Sequence, residues 1–358
     1  MQDEFCSFDR EDGKTTNPAK RFGVLLLNVG SPDKPDTRAV RAYLRQFLSD
    51  PRVLDIAPWK RAIILNCFIL PFRPKRSAHA YRSIWTDRGS PLIAITQDVV
   101  AGLAERLPEA VVTYGMAYGR PTIGEAMDTL MESGLERIFV APMLPQYASA
   151  TTGSVLEATY RRAASEYNAP ALTVIPPFYD APEFLDAWKE TARPALDEFQ
   201  PEHVLFSFHG LPERHIRKGD PSGAYCLVRP DCCDTQTTAN THCYRRQCFE
   251  TARGIADRLA LAEEDYSISF QSRLGREPWL QPYTDETIAL LAENGLKRLA
   301  VLCPAFVADC LETLEEIGIA GKKTFLDHGG HAYIQVPCLN AHPAWLDGLA
   351  AMIRRLSH

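Results

Sequence analysis

The 358-residue sequence has no run of apolar residues long enough to cross a bilayer. Its longest near-continuous run, AIILNCFILPF (62–72), falls short of the roughly 20 residues that a spanning helix needs. An apolar leader core is missing as well. The opening MQDEFCSFDREDGKTTNPAKR is polar and mixed in charge, so no secretory signal is read, and the cytosol, where disulfides are disfavoured, is the expected compartment. There is no basic stripe: a net charge of −6 is spread without long runs, which argues against a nucleic-acid partner and for small ligands or proteins. Neither GxGxxG nor GxxxxGKS/T occurs, which disfavours a nucleotide enzyme, and no low-complexity repeat is present.

What is there is an ordinary globular composition, 46% hydrophobic and 23% charged, at a length that suggests two domains. Near-unbroken apolar runs at 22–30, 110–119, 137–145 and 171–178 alternate with helical stretches such as TIGEAMDTLMESG and GSVLEATYRRAASEY. The second half repeats the rhythm at 203–210, 266–272 and 298–306. Runs of this kind read as strands buried on both faces, and their alternation with helices predicts an α/β fold with two doubly wound parallel sheets. Proline-rich IPPFYDAPEF (175–184) is the expected hinge. The expected division is an extension at 1–20, a first domain at 21–178, a second at 179–338, and a closing helix at 339–358 packed back on the first. Ligands of such sheets bind outside the carboxyl ends of the strands, here a cleft between the halves.

Several segments carry chemistry toward that cleft. In SFHGLP (207–212), His209 follows a buried run. A neutral imidazole there can take a proton or bind a metal near pH 7; the plainer alternative is a histidine capping the strand. In CPAFVADCLETLEEIG (303–318), Asp309, Glu312 and Glu316 fall at i, i+3 and i+7 on one helical face. They read either as carboxylates that draw in a divalent cation and carry protons away or as the solvated face of an amphipathic helix. FQSRLGREPWLQPYTDE (270–286) presents Gln271 and Ser272, then Trp279, a lining suited to a planar ligand. LPQYASATTGS (144–154), with Tyr147, does likewise after an earlier strand. The apolar run at 62–72 has Trp59, Lys60 and Arg61 before it and Arg73, Lys75 and Arg76 after it, which fits a surface dipping into an anionic membrane or else a buried helix or lid. The densest feature is CLVRPDCCDTQTTANTHCYRRQC (226–248), which holds five of the ten cysteines.

Taken in order, LLLNVGSPDKP, YRSIWTDRGSPL, LPQYASATTGS, SFHGLPERH, FQSRLGREPWLQPYTDE and CPAFVADCLETLEEI resemble the blocks of ferrochelatase, a lyase that inserts ferrous iron into protoporphyrin IX at the last step of heme biosynthesis. The resemblance runs from about Phe22 to the C-terminus and implies two Rossmann-like domains around a porphyrin cleft. On it, His209, Glu312 and Glu316 match active-site positions, with His209 and Glu312 meeting the substrate iron, while Asp309, Trp279, Gln271, Ser272 and Tyr147 match substrate-binding positions. It also implies an apolar lip at 57–76, with peripheral contact on the inner face of the membrane. Two departures stand out: Cys310 replaces a histidine found in many members, and Ala117 stands where relatives often carry an arginine. The segment LLNVGSPDKP lacks the tyrosine of the coproporphyrin branch, so protoporphyrin is preferred. The alternatives are a cobalt or nickel chelatase for another tetrapyrrole and a tetrapyrrole carrier with an iron-sulfur sensor segment. No feature specifies an oligomeric state.

Against these blocks, residues 224–245 look like an insertion. Cys226, Cys232, Cys233 and Cys243 lie inside it, and Cys248 sits where the family helix resumes. The gaps between successive cysteines, five, none, nine and four residues, do not make the paired knuckles of structural zinc. Some bacterial ferrochelatases are similar in carrying a 2Fe-2S cluster on such a segment. The resemblance therefore implies a cluster on Cys226, Cys232, Cys233 and Cys243, with Cys248 as the alternative ligand and zinc or free thiols as rivals. Arg229, Arg245 and Arg246 are the expected counter-charges.

Overall fold

The computed structural model describes residues 22–135, 137–275 and 277–357. The expected extension at 1–20 lies outside them. Among the described residues, eight strands form two four-stranded sheets. The first joins β1 (Phe22–Gly30), β2 (Ala110–Tyr118), β3 (Arg137–Pro142) and β4 (Ala171–Val174) in the order β2-β1-β3-β4. The second joins β5 (His203–His209), β6 (Tyr266–Gln271), β7 (Arg298–Leu302) and β8 (Ala332–Gln335) in the order β6-β5-β7-β8. Every pairing is parallel. Both sheets thus repeat one winding, with the first strand in sequence lying between the second and the third. That strand marks the point where the crossovers change direction, the place at whose carboxyl end sheets of this winding bind their ligands.

The helices are α1 (Thr37–Ser49), α2 (Pro58–Ile63), α3 (Arg73–Ile84), α4 (Pro91–Arg106), α5 (Ile123–Glu132), α6 (Ser154–Ala164), α7 (Pro182–Phe199), α8 (Glu213–Lys218), α9 (Tyr244–Leu259), α10 (Thr284–Glu293), α11 (Lys322–Asp327) and α12 (Pro343–Ser357). Their starts follow local chemistry. Asp36 accepts from the Arg38 and Ala39 N–H groups at the head of α1, and Thr122 and Glu125 cap α5 reciprocally. Helices cover both faces of each sheet, which is why strands such as FGVLLLNVG are apolar throughout. One continuous core runs from Val24, Leu26 and Phe139 through Phe184, Trp188 and Trp345 to Phe206, Phe208 and Val301, so the two sheets share an interior. The closing helix α12 lies against α4 and α7, with Arg106 paired to Asp347 at 2.5 Å.

Two elements differ from expectation. β8 is four residues long and follows a glycine pair, too short a run to stand out by periodicity. The acidic segment Glu312–Gly321 winds as a wide π-helix before continuing as α11, so its spacing is not that of the α-helical stripe.

Candidate active site and thiol pocket

β5 carries His209 at its carboxyl end because the buried run Val204–Phe208 stops there; the histidine is half-buried. The next residue must be small. A Cβ on Gly210 would lie 2.8 Å from the Gln271 carbonyl oxygen and 3.3 Å from the Trp279 ring. Gly210 instead donates its N–H to that carbonyl at 2.7 Å. Trp279 is buried against the turn, its indole N–H donating to the Leu274 carbonyl at 2.9 Å. His209 Nδ1 lies 2.7 Å from the Gly210 carbonyl oxygen. A carbonyl only accepts, so in the neutral ring Nδ1 carries the hydrogen and Nε2 keeps its lone pair for another partner.

Glu316 comes up to this histidine from the π-helical segment. Ser272 holds both its carboxylate oxygens, through its backbone N–H at 2.8 Å and its hydroxyl at 2.5 Å. Ser272 does so from a left-handed backbone conformation, φ 67°, which costs a non-glycine residue about 1 kcal/mol and is held here by those bonds. Burial raises the Glu316 pKa; the Ser272 hydroxyl and nearby His209 work against that rise, and Glu312 adds to it. Gln271 is buried and donates to the Glu312 carbonyl at 2.8 Å while its own oxygen accepts from Ser207 at 2.7 Å. The structure thus brings His209, Gln271, Ser272, Trp279, Glu312 and Glu316 together at one sheet edge.

Asp309 does not join them. It precedes the π-helical segment and is buried, accepting from Thr313 and Asn340 at 2.8 Å each and from Gln335 and the Cys338 N–H at 3.3 Å each. Its oxygens are taken up in holding the segment's start. Asp309 would share a face with the glutamates only if an α-helix ran from 309 onward, and the helical segment starts later and winds wider.

From the first sheet, residues not singled out as site residues by sequence face the acids. Arg73, at the head of α3, is half-buried; burial lowers its pKa, while Glu312 and, more weakly, Glu316 pull the other way. Tyr43 and Tyr81 are buried, and burial, with Glu312 among the nearby charges, raises both phenols. The available signals were weak: Arg73 reads as a flank of the lip, and Tyr81 sits within the block at 81–92.

The lip itself is α2 followed by a wide-turned segment, Ile64–Ile69. Trp59, Phe68 and Phe72 are 63%, 66% and 74% exposed, and Ile63 and Ile64 join them, which sets the buried-helix alternative aside. Lys60, Lys75 and Arg76 are exposed beside them. No helix among the described residues is long and apolar enough to cross a membrane. At the lip's base, Asp55 pairs with Lys218 at 3.0 Å and with Arg214 at 3.4 Å, tying it to α8 just beyond the histidine turn.

Residues 219–243 form turns without helix or strand. Two buried polar residues organise them. Asp220 accepts from the Ser222 hydroxyl and from the Ser222, Tyr225 and Cys226 N–H groups, which hold its pKa well below the usual carboxylate range. Asn240 donates to the Cys232 and Thr235 carbonyls and accepts from the Thr237 N–H. The thiols of Cys226, Cys232, Cys233 and Cys243 are buried inside. Cys243 is the hub, capping α9. The Cys233 thiol above all, then the nearby Arg246 N–H, Cys226 thiol and Arg245 N–H, bring its pKa down to about 6 against the opposing effect of burial. Cys232 and Cys233 sulfurs are 3.9 Å apart, and Arg245 donates to Cys233 at 3.0 Å.

Four converging soft donors with a cation against them are a donor set that fits an iron-sulfur group. Among the described residues no group of three or more His, Cys, Asp or Glu is arranged to hold a metal ion. Cys248 is fully buried one turn further along α9, beside Tyr244. Of the three expected counter-charges only Arg245 brings its guanidinium to a sulfur: Arg229 pairs with Asp231, and the Arg246 side chain with Glu250 and the Tyr179 hydroxyl. Tyr147, in the loop after β3, has its ring 6.1 Å from His242 and donates its N–H to Gln247 at 2.7 Å.

The ferrochelatase family model matches residues 21–356. The ferrochelatase of Azotobacter vinelandii is 48% identical over 332 residues, covering 92% of this chain and 98% of its own. That of Coxiella burnetii (strain Dugway 5J108-111) is 45% identical and covers 94% of each chain, and that of Pseudomonas entomophila is 44% identical, covering 92% of this chain and 97% of its own. Among solved structures, the sirohydrochlorin chelatase SirB of Bacillus subtilis subspecies spizizenii, in complex with cobalt, superposes with a TM-score of 0.51 at 12% identity, covering 94% of each chain. At that identity the likeness is one of fold.

Proposed function

The chain belongs to the ferrochelatase family, and from that premise we propose how its residues divide the work of inserting ferrous iron into protoporphyrin to make heme. The reaction exchanges one ferrous ion for two pyrrole N–H protons, so the site must grip an apolar macrocycle, admit a dication and accept protons. His209 takes the pyrrole protons. The observation that carries this assignment is the Nδ1–H bond to Gly210, which leaves Nε2 as an acceptor at the edge of the cleft. Glu312 offsets the charge of the incoming iron and, with Glu316, passes protons outward; burial of Glu316 keeps it protonated to higher pH than an ordinary carboxyl, which suits a group that receives a proton and gives it up later. Trp279 buttresses the histidine turn, Gln271 and Ser272 orient the acids, and Tyr147 borders the porphyrin from the other side. Asp309 fixes the start of the π-helical segment.

We take residues 21–178 and 179–338 as the two jaws of the cleft. The exposed apolar lip of the first jaw, with Lys60, Lys75 and Arg76 around it, supports peripheral contact with an anionic membrane surface, from which a poorly soluble porphyrin passes into the cleft. Cys226, Cys232, Cys233 and Cys243 would hold a 2Fe-2S cluster, whose chemistry here is to cross-link the inserted segment, since metal insertion changes no oxidation state. The assignment of activity is tested by anaerobic assay of the purified protein with ferrous iron and protoporphyrin, with porphyrin affinity measured on the same sample. Heme formation is the expected result; tight porphyrin binding without heme would make the protein a carrier.

A further inference from the structure

Tyr244, Gln247 and Thr251 lie at i, i+3 and i+7 of α9, on one face, and all three are buried. That face touches the carboxyl ends of both sheets. The Tyr244 hydroxyl donates to the His209 carbonyl at 2.8 Å. The Gln247 side-chain oxygen accepts from the Tyr147 N–H at 2.7 Å, and the Thr251 hydroxyl accepts from Gln146 at 2.9 Å. The grip on the histidine is close to complete: Tyr244 holds its carbonyl, Gln271 holds the following N–H, and the Gly210 carbonyl holds its ring. With the peptide plane fixed at both atoms, the ring has one orientation in which Nδ1–H reaches the Gly210 carbonyl, and that orientation aims Nε2.

We propose that Tyr244 and Gln247 are positioning residues for iron insertion, Tyr244 setting the histidine of one jaw and Gln247 setting the Tyr147 loop of the other. The proposal rests on the reading that His209 takes the pyrrole protons. Tyr244 acts through His209 and touches no substrate. Gln247 acts on the backbone of a residue that borders the porphyrin. A single rigid helix therefore fixes the spacing between the proton acceptor and the opposite wall, and a shift of an ångström at such a site costs up to about a hundredfold in rate.

Tyr244→Phe removes one oxygen and no volume. It lowers kcat by roughly tenfold or more, leaves the porphyrin KM within about twofold, and leaves iron and acid-labile sulfide at the wild-type content. Placed on His209→Ala, it produces no further loss, because it acts only through that residue. Gln247→Leu raises the porphyrin KM more than it lowers kcat, and Gln247→Glu, which keeps the accepting oxygen, restores it. A Tyr244→Phe enzyme with kcat within twofold of wild type overturns the proposal. So does an additive loss in the double variant, or a fall in kcat that tracks lost iron and sulfide and so belongs to the thiol pocket. If His209→Ala itself keeps wild-type kcat, the reading of the histidine fails, whatever Tyr244→Phe does.

Discussion

The two sheets wind identically yet present opposite surfaces at their carboxyl ends. β1 ends at Gly30 and leads through α1 to a lip with three aromatic side chains more than half exposed. β5 ends at His209, and around it polar groups are paired: Ser272 on Glu316, Gln271 on the Glu312 carbonyl, Tyr244 on the histidine carbonyl. The first end is apolar and open; the second is polar and locked. A planar apolar substrate and a hydrated dication make different demands, and on the proposed division of labour the two halves meet them separately. Arg73 is the exception, a cation from the lip side facing the acids of the other.

Glu312→Gln, on the locked side, should lower kcat about a hundredfold while porphyrin affinity stays within a few-fold, because it removes a carboxylate and not the apolar grip. Steady-state rates and fluorescence quenching separate the two; a loss confined to affinity would move Glu312 to the gripping jaw. Next comes the lip. Replacing Trp59 and Phe72 together by serine should cut binding to anionic vesicles about tenfold and raise the KM for vesicle-borne porphyrin more than it lowers kcat. Vesicle sedimentation that is unchanged would remove the membrane from the account.

The thiol series is expected to act more mildly on turnover, by severalfold, through α9. Cys226→Ser, Cys232→Ser, Cys233→Ser and Cys243→Ser should each lose the iron and acid-labile sulfide that Cys248→Ser retains. The reverse pattern for Cys226 and Cys248, or zinc in the wild type, would reassign the ligands or the metal. The smallest effect is on stability. Burial raises the folded-state pKa of Glu316 above its unfolded value, so below the unfolded pKa both states are protonated and nothing is lost, whereas as pH rises through and beyond it the ionised form favours the unfolded chain. Glu316→Gln should therefore raise Tm by about 1–3 °C near pH 8 and leave it unchanged near pH 4; a gain at pH 4 would contradict the burial argument.

Seven of the eight strands were legible because a strand buried on both faces is a continuous apolar run, and β8 escaped because four residues make no pattern. His209 was legible for the same reason, standing where such a run ends. The acid stripe was only half legible: Glu312 and Glu316 reach the site, but Asp309 turns inward, since spacing cannot announce a π-helix. The insertion was visible by its cysteines, while its organising residues, Asp220 and Asn240, looked like ordinary loop polarity. Tyr244 meets the His209 carbonyl, and Arg73 the acids, through contacts between distant segments that no local pattern records.

The division of labour is tested most directly by a single-turnover experiment on His209→Ala with protoporphyrin already bound and ferrous iron added without oxygen. The account predicts porphyrin bound about as tightly as in the wild type and heme formed at least a hundredfold more slowly. Heme formed at the wild-type rate, or binding and turnover lost in parallel, would contradict it.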